Sequence, residues 1–163
     1  MAYARKMRPS SKKFTIIKDT REPEGKGWDF RASANCHGME RKKLDVGDYA
    51  IAGLETKVMI ERKSLGDLWN TLSITANYQR FLREMDRAAN HRLKYLVIEA
   101  SLADVNRGYR YSRVSPANIH AKLISLQVKH NVHVVFAGRQ DLARAWVRGL
   151  FDKLHKYHKD DVI

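Results

Sequence analysis

The chain alternates short apolar runs with longer amphipathic stretches. Phe14 to Lys18 is a compact apolar run and reads as a strand inside a sheet. Tyr49 to Ile51 and Lys57 to Lys63 read as two more strands, the longer because Val58 and Ile60 alternate with Lys57, Met59 and Glu61. A tight turn at Gly53 would pair them as an antiparallel hairpin. Leu93 to Glu99 and Val132 to Phe136 are continuous apolar runs bounded by charge, the pattern of strands buried on both faces. Helical periods lie between. Leu65, Leu68, Trp69 and Leu72 share one face, introduced by Ser64 as N-cap with Asp67 placed to reach back to it. A second helix, residues 75–90, carries Tyr78, Leu82, Met85 and Ala89 on one side. Ser115-Pro116 opens a third, whose stripe is Ala117, Ala121, Ile124 and Val128, widened by Leu123 and Leu126. The last, residues 141–157, sets Leu142, Trp146, Leu150 and Leu154 on one side. The stretch from Glu24 to Lys43 has no clear period. Gly25, Gly27 and Gly38 break it, and Trp28 and Phe30 are its expected anchors to the core. The order of elements is that of a mixed α/β domain.

Composition sharpens this picture. The length of 163 residues suits one domain with a real core, expected over residues 14–158 between a flexible basic arm (1–13) and a short tail (159–163). The formal net charge of +13 points to a polyanionic partner, nucleic acid first, although an anionic membrane surface would attract the same sign. The single cysteine, Cys36, allows no internal disulfide, which fits an intracellular, reducing compartment. Its neighbour His37 lacks a second ligand pair at zinc spacing. No apolar run reaches transmembrane length, and the basic arm lacks the apolar core of a secretory signal.

The candidate chemistry gathers around the hairpin. Side chains two apart on a strand share a face, so Glu61 and Lys63 point the same way, and the turn brings Asp48 towards Glu61. Two carboxylates that close repel each other unless a cation lies between them. A hard divalent ion binds through one or two carboxylates plus substrate phosphates, and a lysine beside it can orient water and offset developing charge. The same residues also fit a surface hairpin with a Glu–Lys pair. Asp19 and Glu22 follow the first strand, at the carboxyl end where α/β sheets place ligands, or simply begin a turn towards Pro23. Arg62 faces away from Glu61 towards an acid such as Asp67, and its backbone carbonyl is a candidate metal ligand. Ser64 and Asp67 have a sufficient role in holding the strand–helix junction. Arg80, Arg83 and Arg87 form either a phosphate-contacting face or a solvated one. Arg107, Tyr109, Arg110 and Arg113 alternate charge and ring in a loop, which suits phosphate contact with stacking, or a mobile loop without function.

The pattern Gly47-Asp48, twelve residues, Glu61-Arg62-Lys63, three residues, Asp67 resembles the signature of the XPF-type structure-specific DNA nucleases. Asp19-Thr20-Arg21-Glu22 upstream matches as well. Downstream, Gln79, Met85, Tyr95 to Glu99, and Leu123 to Gln127 follow in order, so the likeness covers roughly residues 14–155. The resemblance is to the nuclease domain alone, without the tandem helix-hairpin-helix modules that the family often appends. It implies a restriction-endonuclease-like α/β domain with a central mixed sheet flanked by helices. It further implies Mg²⁺ or Mn²⁺ held by Asp48 and Glu61, with Asp19 and Glu22 completing the site and Lys63 positioning water. By the same resemblance the substrates are branched or single-strand/duplex junction DNA, the products carry 5′-phosphate and 3′-hydroxyl ends, and the domain pairs through its C-terminal part, here as a homodimer. Two other classes stay open: a nuclease-fold scaffold that binds DNA without cutting, and a basic structural protein that binds nucleic acid with no need of a cation.

Overall fold

The computed structural model describes residues 12–160 and Ile163; nearly all of the expected basic arm lies outside them. Six strands form one mixed sheet in the order β2-β1-β3-β4-β5-β6. These are β1 (Phe14–Lys18), β2 (Cys36–Arg41), β3 (Tyr49–Ile51), β4 (Val58–Lys63), β5 (Leu93–Ile98) and β6 (Val132–Phe136). β3 runs antiparallel to both β1 and β4, whereas β1–β2, β4–β5 and β5–β6 are parallel pairs. The expected hairpin is therefore present, with Tyr49 opposite Ile60. This mixed sheet with helices on both faces is the restriction-endonuclease-like architecture.

The helices are α1 (Leu65–Ser73), α2 (Thr75–Arg87), α3 (Leu102–Arg107), α4 (Pro116–His130) and α5 (Gln140–Lys159). Leu68, Trp69 and Leu72 of α1 meet Phe81 and Met85 of α2, Ile119, Leu123 and Leu126 of α4, and Met59, Leu96 and Ile98 of the sheet. On the opposite face, Val147, Phe151 and Leu154 of α5 pack with Tyr49, Ile60, Val97, Trp28 and Phe30. Among the described residues no helix is long and apolar enough to cross a membrane.

Two elements escaped the sequence pattern. β2 lies at the sheet edge with only Cys36 and Gly38 fully buried, too short an alternation to stand out beside its glycines. β1 and β2 are joined by residues 19–35 without a helix; Trp28 and Phe30 take its place, stacked and edge-on against Tyr49. α3 is a six-residue helix closed by a Ser101–Asp104 capping box and too short to show a period.

Two helical faces are corrected. α4 turns Ile119, Leu123 and Leu126 inward and leaves Ile124 and Val128 in solvent at 56% and 79% exposure. α5 buries Ala143, Val147, Phe151 and Leu154, while Leu142 and Trp146 stay outside. Each helix carries two apolar stripes, and periodicity alone cannot say which one meets the sheet. Ser64 does cap α1, accepting from Asp67 N at 3.1 Å; its hydroxyl in turn donates to Asp67 Oδ2 at 2.7 Å.

Gly47 turns the chain into β3 at φ +75°, and a Cβ there would sit 2.7 Å from Met59 Cγ and 3.1 Å from Ile60 O. Both the conformation and the space require glycine. Gly47→Ala is expected to cost about 1–3 kcal/mol, read as a fall in the thermal unfolding midpoint. An unchanged midpoint would contradict this account of the turn.

Candidate active site

The site forms where β1 and β4 end and β3 begins. Asp19 N donates to Asp48 O at 2.8 Å, and Asp48 N donates to Ile60 O at 2.9 Å, so the main chain itself sets Asp48 beside β4. Asp48 Oδ2 then accepts from Arg62 N at 2.8 Å. On one face of β4, Lys63 Nζ donates to Glu61 Oε1 at 2.6 Å, and the ammonium lies 5.5 Å from the centre of the Phe81 ring. Asp48, Glu61 and Lys63 thus converge as the residue spacing requires.

These groups perturb one another. Burial, then the charge of Glu61, pushes the Asp48 carboxyl well above its ordinary range, against the opposing pull of Arg62 N–H and Lys63. Burial also raises Glu61, partly offset by Lys63. Burial works against the charge on Lys63, yet Glu61, Asp48 and Glu84 outweigh it and hold the ammonium protonated. The two acids share one strained negative field, and the lysine answers only part of it.

The other face of β4 is a support. Arg62 Nε and Nη2 donate to Glu99 Oε1 and Oε2 at 2.8 and 3.0 Å, and Glu99 Oε1 also accepts from Trp28 Nε1 at 2.8 Å. The Arg62 side chain therefore pairs with Glu99, not Asp67. The reason is register: Arg62 lies opposite Val97, so Glu99, two residues on, shares its face. Glu22 lies 3.6 Å from Arg62 Nη1, and its buried Oε2 accepts no hydrogen bond.

Asp19 is placed differently from expectation. Its oxygens accept from Arg21 N (2.7 Å), Arg21 Nε (2.7 Å), Arg21 Nη2 (3.3 Å) and Leu44 N (2.6 Å). Burial disfavours its charge, but these bonds outweigh burial and lower its pKa. A carboxylate met by these donors ties the end of β1 to the Leu44 segment. Sequence reasoning also passed over Glu84 of α2, whose Oε1 accepts from Gly47 N at 3.0 Å. Its signal was its position: next to buried Met85 and three residues after Phe81, it flanks the inward face of the helix.

A cleft of about 390 Å³ opens over the strand ends, lined by Glu22, Asp48, Arg62, Lys63, Asp67 and Arg80 among others. Of the arginines expected at nucleic acid, Arg80 reaches this cleft, and Arg83 and Arg87 are exposed on α2. Arg107 pairs with Asp104 and Arg113 is exposed. Tyr109 is packed against Trp69 and beneath Gly66, so it is no free stacking platform. Tyr111, 69% exposed with Arg110 over its ring, is the aromatic that the loop presents.

The donors suit a hard cation. Asp48 Oδ1 and Glu61 Oε2 make no hydrogen bond within the described residues. Carbonyls two apart on a strand point to the same side, so Arg62 O faces the Asp48 side as Ile60 O does. No three His, Cys, Asp or Glu side chains gather into a full metal cage among the described residues. Two carboxylates and a carbonyl leave positions for water and phosphate oxygens, which is how Mg²⁺ is usually held.

The ERCC4 domain profile matches residues 18–149. No curated protein sequence matches the chain. The fold is similar to two structures of XPF from Aeropyrum pernix. One, a complex with DNA, aligns at TM-score 0.65 and 18% identity over 88% of this chain and 66% of that one. The other aligns at TM-score 0.63 and 19% identity over 83% of this chain and 63% of that one.

The raised Asp48 carboxyl has a consequence for stability. The folded chain holds a proton there that the unfolded chain has already released, so stability falls as pH rises from the unfolded value, about 4, through the raised folded one. In divalent-free buffer, Asp48→Asn is expected to unfold at higher temperature than the parent, the gap widening with pH across that window and closing near pH 4. A gain of about 1 kcal/mol would read as roughly 2–4 °C. Parallel curves for the two proteins would contradict the assignment.

Proposed function

The chain belongs to the ERCC4 domain family, and on that premise we propose that it is a DNA endonuclease using Mg²⁺ or Mn²⁺ to cut branched or single-strand/duplex junction DNA, working as a homodimer. The observation that carries this reading is the convergence of Asp48 and Lys63 on one open cleft, with buried Glu61 bonded to Lys63. Asp48, Glu61 and the Arg62 carbonyl would hold the ion, with Glu22 at the cleft wall. Once bound, the ion would supply charge to a phosphoryl oxygen and acidify a water.

The protein's own groups do the rest. Glu61 holds Lys63 by their 2.6 Å bond, so the ammonium is fixed before substrate arrives. From there it can orient the attacking water and oppose the charge that grows on the phosphorus centre. Arg62, clamped by Glu99 and Glu22, keeps β4 in register beneath both acids. Arg80 at the cleft and the exposed Arg83, Arg87, Arg110 and Arg113 offer phosphate contacts that position a strand without reading its sequence. The complete acid–lysine set argues against a binding scaffold that has lost its chemistry.

Pairing is supported by the apolar surface beside β6. This strand leaves one edge unpaired, and Ile124 and Val128 of α4 and Leu142 and Trp146 of α5 are exposed. An open edge flanked by apolar side chains is a surface that proteins ordinarily cover. A two-fold pair is the simplest closed arrangement.

Glu61→Gln is expected to abolish cutting of labelled flap, fork and splayed-arm DNA while binding persists in gel shifts, and Lys63→Ala to lose about 10²–10³ in rate. Near-normal cutting by Glu61→Gln would sink the mechanism. For pairing, light scattering at micromolar concentration should give the mass of two chains, and Val128→Glu with Trp146→Glu should give that of one. A single-chain mass for the parent under all salt conditions, with or without DNA, rules the homodimer out.

A further inference from the structure

A second cavity, about 540 Å³, lies at the other end of α2 and shares no lining residue with the cleft. The segment after α2, the start of β5 and the end of α4 enclose it. Its polar walls are Arg92, Lys94, Lys129, His130, Asp86 and His91. Lys94 is the unusual member. It stands on the core face of β5, in line with Leu96 and Ile98, and only 4% of its surface is exposed. It has neither a hydrogen bond nor an ion pair among the described residues. The one acid at the cavity, Asp86, faces His130 Nδ1 at 3.9 Å instead. The His91 ring is bound through Nε2 to Glu55 O at 2.9 Å, and its buried Nδ1 has no partner.

The stem of Lys94 is buried while its Nζ keeps contact with solvent, so its charge is delivered to the open space of the cavity. The carboxyl ends of α2 and α4 converge here and supply about half a negative charge each. Together with Asp86 they do not neutralise Arg92, Lys94 and Lys129. The cavity therefore stays cationic, with the unpartnered Lys94 ammonium on its wall and two exposed basic side chains at its rim.

We propose that this cavity is a phosphate-binding site, separate from the cleft, with Lys94 as its central ligand and Arg92 and Lys129 closing over the anion. The phosphate could be that of a small ligand or of a nucleic-acid backbone. From Asn77 at the cleft to Asp86 at the cavity is nine residues of helix, roughly 13 Å. That distance is about four phosphates of one strand at its rise of about 3.4 Å, so a strand held at the cleft can reach the second site.

The test needs no cleavage and so stands apart from the proposed reaction. Inorganic phosphate is titrated into the intact protein and followed by amide NMR shifts, beside Lys94→Met, which keeps the stem and removes the charge. Lys43→Met, at an exposed site after β2 that lines neither cavity, corrects for general attraction of anions to a basic protein. Saturable shifts at residues 91–94 and 129–131 are expected in the parent and in Lys43→Met. Affinity should fall about tenfold to a hundredfold in Lys94→Met, the range for a lost charge-assisted hydrogen bond. Should Lys94→Met fail to fold, Arg92→Ala with Lys129→Ala, both on the surface, gives the same reading through the rim. A duplex longer than one turn then separates the sources. Weaker duplex binding in the variants, with phosphate competing, assigns the site to a DNA backbone; unchanged duplex binding assigns it to a small phosphate ligand. Phosphate shifts that do not saturate, or that persist undiminished in folded variants, overturn the proposal and leave Lys94 as a packing residue.

Discussion

Two carboxylates held close together and out of water are the constraint on which the rest of the structure depends. Burial raises both Asp48 and Glu61, with the charge of Glu61 adding to it at Asp48 and those of Glu84 and Glu22 adding to it at Glu61. What prevents separation is the main chain. Asp48 is bonded through its N–H to Ile60 and through its carboxylate to Arg62 N, so it cannot leave without breaking the hairpin. The sheet thus stores an unfavourable electrostatic arrangement that a proton relieves. Sites that bind and activate charged substrates are commonly built this way, stability being given up locally for readiness.

The face of β4 turned from the acids shows how the arrangement is held. Arg62 is flanked by Glu99 and Glu22, and Glu99 also takes the indole N–H of Trp28. Trp28 stacks on Tyr49, whose hydroxyl donates to Trp28 O and accepts from Trp28 N. A loop with no regular structure is in this way bound to three strands, and the backbone beneath Asp48 and Glu61 is fixed from behind. The ring of Tyr49 is buried and the guanidinium of Arg62 is taken up by Glu99 and Glu22, so their part is to hold position.

The hairpin, the later strands and the capped helices were legible because each has a local cause. Alternation gives β4, Ser64 and Ser115 mark helix starts, and Asn131 in the left-handed region ends α4. The pairing of Glu61 with Lys63 followed from a period of two. What stayed hidden depends on distant partners. Asp19 was read as a ligand because nothing near it in sequence announces that Leu44 N will fill its carboxylate. Glu99 looked like a strand terminus until the β4–β5 register put it beside Arg62. Glu84 reads as surface charge unless Gly47 is known to lie beneath it. For α4 and α5 the periodicity found real apolar stripes but could not choose the inward one, and the stripe left over became the exposed surface beside β6.

The sheet has a seam. β3 is only three residues long, and it alone joins the β2–β1 pair to the β4–β5–β6 unit. Asp48 is carried by this joining strand and Glu61 by β4, so their spacing depends on how the seam is held. The brace across it is α5, which packs on Val97 while setting Phe151 edge-on to Phe30 at 5.5 Å and hydrogen-bonding Ser33 and Asn35 through Arg148. Local opening in folded proteins follows such weak joints. The integrity of the acidic pair is therefore linked to a helix that touches neither acid, and loosening the carboxyl-terminal half of α5 would part the two carboxylates by letting the two halves of the sheet move independently.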